Sequence, residues 1–269
     1  MNICGVYFSP TGTTEKVIKV LVNSVSDRLD QASIRLVDFT PLSARQKPLH
    51  FQSDDLVLFG MPIYAGRVPN LMLPFLRRIK GAGAQAVAVV VYGNRHFDDG
   101  LVELVRLLER AGMQVIAAGA FIGQHAFSNT LAQGRPDETD LGIVESFAQA
   151  IVEKLSQTEY GTLDLPGDHQ PATYYQPRNE YGSGIDIRPV KPVTDMDRCT
   201  DCKLCARICP LGSIDFADVS HISGICMKCC ACVKCCPVNA KTFVDQDFLF
   251  HVKDLEQTCQ TRRDAGFWI

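Results

Sequence analysis

The chain lacks the features that would take it into a membrane or onto a nucleic acid. No stretch approaches the roughly 20 apolar residues needed to cross a bilayer. Its formal net charge is only −3, which argues against nucleic acid or an anionic membrane as the main partner. The opening Met1-Asn2-Ile3-Cys4-Gly5-Val6 has no basic segment, and its apolar run is only a strand long. It does not read as an export signal, so a reducing cytoplasm is the expected compartment. No G-x-G-x-x-G follows a strand, so no dinucleotide partner is read from the sequence. Tryptophan occurs once, at Trp268.

Cysteine, by contrast, is concentrated. Ten of the twelve lie between 199 and 236, leaving Cys4 and Cys259 as outliers. Cys199, Cys202, Cys205 and Cys209 follow C-x2-C-x2-C-x3-C, with Pro210 directly after. Cys226, Cys229, Cys232 and Cys236 repeat the spacing 27 residues later, with Pro237 directly after. With no export signal, such units read as metal ligands rather than disulfides. Three thiolates at close, even spacing wrap a compact loop around one cluster, and the proline turns the chain away. One run could be zinc or chance; two complete runs are very hard to obtain otherwise.

The double run resembles that of two-cluster bacterial-type ferredoxins. The resemblance implies crossed ligation of two [4Fe–4S] clusters. Cys199, Cys202, Cys205 and Cys236 would hold one, and Cys226, Cys229, Cys232 and Cys209 the other. Cys230 and Cys235 fall outside the register and read as small residues packed near a cluster. With all eight ligand positions filled by cysteine, His221 and His251 have no metal role.

At 269 residues the chain is too long for such a unit alone. Its 46% hydrophobic and 21% charged content is that of a soluble protein with ample core. Residues 1–158 alternate apolar strands, at 3–8, 34–37, 56–60, 86–92 and 115–121, with helical patterns at 14–29, 71–79, 101–110 and 137–157. Continuous apolar strands separated by helices predict a five-stranded parallel sheet covered on both faces. Asp98 and Asp99 read as an N-cap for the helix at 101–110. Residues 159–194 mix prolines, glycines and four tyrosines without periodicity, a linker expected to pack over a surface. A cluster unit is expected at 195–244. The tail, 245–269, should form a short helix through Phe248, Leu249, Val252 and Leu255.

The first strand runs into Ser9-Pro10-Thr11-Gly12-Thr13-Thr14 at a helix start. Hydroxyls and free N–H groups at a helix N-terminus make an anion site, although simple capping by Thr13 would leave the same trace. Two further loops follow strands three and four. They carry Pro62, Ile63, Tyr64, Ala65, Gly66 and Arg67, and Tyr92, Gly93, Asn94, Arg95, His96 and Phe97.

Ser9, Thr11, Gly12, Thr13 and Thr14 resemble the phosphate loop of flavodoxins. Over nearly its full length the chain is similar to flavodoxin–ferredoxin fusion proteins. That resemblance implies a flavodoxin-like doubly wound sheet of order 2-1-3-4-5, with FMN at its switch point and a small α+β ferredoxin domain after it. Tyr64 or Phe97 could then stack on the flavin ring, and Gly93 and Asn94 could meet its polar edge. No tryptophan lies in these loops, and Arg95 and His96 stand where flavodoxins carry acids; a cation there would favour the anionic reduced flavin. His125 is a candidate proton donor, with a backbone-bonded loop histidine as the plain alternative.

Two functions are expected from this reading. The first is electron transfer among FMN, two clusters and redox partner proteins. The second is an FMN-dependent reductase of a small substrate, with a pocket built from Arg67, Arg95, His96 and His125. The donor, acceptor and oligomeric state are not legible.

Overall fold

A computed structural model describes residues 1–29, 32–167 and 172–269. Of the expected linker, Asp168, His169, Gln170 and Pro171 lie outside the described residues. Five parallel strands form first: β1 (Asn2–Tyr7), β2 (Ser33–Asp38), β3 (Asp55–Pro62), β4 (Gln85–Tyr92) and β5 (Gln114–Ile122), in spatial order 2-1-3-4-5. Every residue of β3 but Pro62, and every residue of β4 but Gln85, is buried, which is why these strands read as unbroken apolar runs.

α1 (Thr13–Ser26) and α4 (Glu138–Leu155) cover one face, packing Val17, Ile18, Leu21, Phe147 and Ile151 over it. α2 (Leu73–Leu76) and α3 (Gly100–Arg110) cover the other, with Phe75, Leu101, Leu104 and Leu108 beside Phe39 and Phe59. A Cβ on Gly60 would lie 2.5 Å from Ile18 and 2.9 Å from Thr14. Glycine here lets the first turn of α1 settle onto the carboxyl end of β3.

Several features differ from expectation. The helix at 71–79 is only a 3-10 turn at Asn70–Met72 followed by α2. Pro74 fits only a first helical turn, and the chain beyond is captured in extended pairing: Lys80 N donates to Leu49 O at 3.0 Å, and Phe51 N to Lys80 O at 2.9 Å. Asp99 does stand at the N-cap of α3 but caps nothing with its side chain; its carboxylate accepts from Ala172 N of the linker, 2.7 Å. The sheet also has a sixth strand, β8 (Gly266–Trp268), antiparallel to β5. It covers the edge β5 would otherwise expose, with Phe267 stacked on Phe147 at 5.0 Å.

The C-terminal unit is small. β6 (Val193–Thr194) pairs with β7 (Lys241–Thr242), and α5 (Leu204–Ile208) and α6 (Ala231–Lys234) follow the two cysteine loops. α7 (Gln246–Thr258) is longer than the short helix expected, capped by the Asp245 carboxylate on Phe248 N. Among the described residues no helix is long and apolar enough to cross a membrane.

Candidate metal and phosphate sites

The eight register cysteines line two cavities. Cys199, Cys202, Cys205 and Cys236 border one. Cys226, Cys229, Cys232 and Cys209 border the other, with Cys230 also in its wall. Each cavity thus takes three thiols from one run and the fourth from the other. Among the described residues no three His, Cys, Asp or Glu side chains stand close enough to hold a single ion. Four thiols around a wider space suit a polynuclear cluster.

The two loops are built alike. Asp201 and Lys203 in the first, and Lys228 and Cys230 in the second, have φ of 53°, 60°, 56° and 60°. This left-handed geometry lets each loop curl around its cavity before α5 or α6 begins. Ser213 N approaches Cys209 Sγ at 3.4 Å and Ala240 N approaches Cys236 Sγ at 3.2 Å. Each crossing cysteine therefore receives a backbone donor from four residues on. Burial pushes the Cys229 thiol up and that of Cys232 to about 12, so a metal bound there would have to displace their protons.

At the other end of the chain, Gly12 is the N-cap of α1 in a left-handed conformation (φ 84°), and without a side chain it makes no cap bond of its own. A Cβ on Gly12 would meet nothing within 4 Å, so the turn faces open space. Thr13 is the first helical residue rather than a cap. Ser9 Oγ accepts from Glu15 N at 2.9 Å, and Ser9 N donates to Thr40 Oγ1 at 2.7 Å. Thr14 Oγ1 is buried without a partner. An orphaned hydroxyl at an open helix N-terminus fits a phosphate group, and Thr11 lies in the same turn.

The loops after β3 and β4 reach the same end of the sheet. Tyr64, Ala65, Gly66 and Arg67 close a tight turn, with Tyr64 N on Arg67 O at 2.9 Å and φ of 50° and 78° at Ala65 and Gly66. Ile63, after Pro62, donates its N–H to Val91 O at 2.9 Å. Phe97 packs inward, its ring 5.4 Å from Tyr92 and 6.2 Å from Trp268. Tyr64 is only partly buried. Gly93 lies hard against the His125 ring. Asn94 turns its side chain to the tail, donating to Cys259 O at 2.7 Å and Thr261 O at 3.0 Å.

The cations of the expected substrate pocket are engaged within the chain. Arg67 pairs with Glu103 at 2.6 Å, donates to Ala172 O, and lies 5.0 Å from the Tyr174 ring. Arg95 pairs with Asp98 and sits 4.4 Å over the Tyr175 ring. His125 accepts Phe127 N on Nδ1 at 3.1 Å. Burial, with the charges of His251, Lys234 and Arg95, pushes it down to about 4. It is a neutral, backbone-bonded imidazole at neutral pH.

Tyr175 and His251 were not legible as site residues. Tyr175 N donates to Ala65 O at 2.9 Å, and its ring stacks 5.9 Å from His251. His251 is buried with Nδ1 unpartnered. The tyrosine-rich linker was the available signal for Tyr175; nothing marked His251.

A family model described as "4Fe-4S binding domain" matches residues 192–215, which hold the first cysteine run. No curated protein matches the chain. Among solved structures, a flavodoxin from the domain Archaea is similar at 15% identity, over 58% of this chain and all of that one, with a TM-score of 0.40. The Streptococcus pneumonia TIGR4 flavodoxin gives 17% identity over 57% and 99%, TM-score 0.40. Rubredoxin oxygen:oxidoreductase from the anaerobe Desulfovibrio gigas gives 17% over 58% and 37%, TM-score 0.39. By strand order and helix placement the N-terminal part has a flavodoxin-like fold. A ferredoxin-type iron–sulfur unit follows it.

Proposed function

We propose that this chain is an electron-transfer protein that couples FMN to two [4Fe–4S] clusters and exchanges electrons with redox partner proteins. One observation carries the reading: two four-thiol cavities share a chain with an open helix N-terminus at the switch point of a flavodoxin-like sheet. The clusters would supply one-electron steps, and FMN the change between one and two electrons. Thr14, Thr11 and Gly12 would bind the phosphate, and Tyr64 would cover the ring. Arg67 and Arg95, paired with Glu103 and Asp98, also hold the linker at Ala172, Tyr174 and Tyr175 rather than standing as free cations for a substrate. That favours electron transfer over reduction of a small anionic substrate.

The test is anaerobic purification with iron, sulfide and flavin analysis, followed by rapid reduction of the clusters. Two clusters and one FMN per chain are expected, with flavin reduction at a rate independent of protein concentration. A rate proportional to concentration would mean electrons cross between molecules, and the reading would fail.

A further inference from the structure

The two thiol cavities differ in what surrounds them. The cavity of Cys209, Cys226, Cys229 and Cys232 is also walled by Leu211 and Met227, and both pack against the core of the flavodoxin-like sheet. Arg45, buried after β2, holds this side in place. It donates to Phe39 O and Thr40 O, each at 2.6 Å, and to Pro210 O, directly beside Cys209. Thr40 in turn accepts Ser9 N. A continuous set of hydrogen bonds thus runs from the phosphate loop to the residue next to a cluster ligand.

The second loop docks as well. Cys230, between two ligands, packs with Phe243 and Phe248 against Ala126 and Phe127 of the β5 loop. Lys234 donates to Ser128 O and to Asn129 Oδ1, the latter at 2.7 Å.

Among the described residues, no hydrophobic side chain lining the other cavity packs against the sheet's core. Every residue lining it falls between 194 and 241. Cys202 is exposed, as are Asp201 and Arg207 beside it, whereas Cys229 is buried.

We infer that the cluster held by Cys209, Cys226, Cys229 and Cys232 is the immediate partner of the flavin, and that the cluster held by Cys199, Cys202, Cys205 and Cys236 is the port to an external one-electron protein. The inference rests on the cofactor reading above. In the reducing direction, a low-potential one-electron donor gives single electrons to the outer cluster. Each would pass to the inner one and then to FMN, where two electrons and one proton from solvent would complete the flavin's reduction.

The test uses Cys205→Ser and Cys229→Ser variants of the full chain, assayed for iron and FMN content, FMN fluorescence lifetime, and flavin reduction after flash reduction of the remaining cluster. A nearby cluster quenches flavin fluorescence, so the lifetime should lengthen far more in Cys229→Ser, which should also lose the fast internal phase. Reduction of the remaining cluster by a viologen radical should be slower in Cys205→Ser, where only the docked inner cluster remains, than in Cys229→Ser. Equal lengthening, or the larger effect in Cys205→Ser, overturns the assignment. If either variant fails to fold, stepwise iron chelation of the unaltered protein reads the same point: fluorescence should recover with the second half of the iron, and recovery with the first half overturns the route. An unaltered protein without FMN, or with iron for one cluster only, instead refutes the cofactor reading itself.

Discussion

Asn94 and Cys259 lie 165 residues apart and are joined directly: the Asn94 Nδ2 amide donates to the Cys259 carbonyl at 2.7 Å. The same side chain donates to Thr261 O and accepts from Arg263 N and Arg135. One buried amide after β4 thereby fastens the end of α7 and the approach to β8. Asn94→Ala should cost about 2 kcal/mol, because it orphans carbonyls and an N–H that are partly shielded from water. The measurement is urea unfolding, with limited proteolysis to show that the segment after Thr258 is cut first. Unchanged stability and unchanged cutting would remove Asn94 from this role.

Thr14 separates ligand binding from stability. Its hydroxyl is buried without a protein partner, so Thr14→Val should leave the flavin-free protein as stable as before or slightly more so. FMN affinity should fall by about 1–3 kcal/mol, the usual size of one lost charged hydrogen bond. Calorimetric titration with FMN and thermal melting without it check the two halves. A stability loss equal to the affinity loss would mean the hydroxyl serves the fold.

Cys209→Ser tests the crossing of the two runs. Cys209 lines the cavity of Cys226, Cys229 and Cys232 rather than that of its own run. The variant should lose or alter that cluster and keep the one at Cys199, read by iron content and by electron paramagnetic resonance of the reduced protein. Loss of the first-run cluster instead would refute the crossed arrangement.

His125 sets an acid limit. Folded, burial first and nearby cations second push its imidazole down to about 4 from the ordinary 6.5. Between those values the unfolded chain binds more protons than the folded one, so stability rises with pH across that window and falls as pH drops through it. His125→Gln should flatten the dependence of urea midpoint on pH between about 6.5 and 5, within the window set by the imidazole's ordinary value. An unchanged slope would show that His125 titrates freely in the folded protein.

Much of the architecture was legible because it is written locally. Strands buried on both faces need unbroken apolar runs, as in Leu56, Val57, Leu58 and Phe59, and their helices need one apolar face, so a parallel sheet covered on both faces followed from alternation, while its strand order came from the resemblance to flavodoxins. The cysteine runs announce their chemistry because thiolate spacing along a tight loop is itself the constraint. What stayed hidden depends on partners far away in sequence. β8 has three residues, too few for any period, and exists because β5 offers an edge and Phe147 a stacking face. The 71–79 pattern looked helical until residues 49–51 captured its end. Asp99 looked like a cap until the linker claimed its carboxylate. His251, the Arg45 link to Pro210 and the docking of Met227 and Leu211 on the sheet came from tertiary structure alone. Periodicity and motif spacing report a residue's own neighbourhood; which surfaces meet is decided only when folding brings distant segments together to bury their remaining apolar area and pair their remaining polar groups.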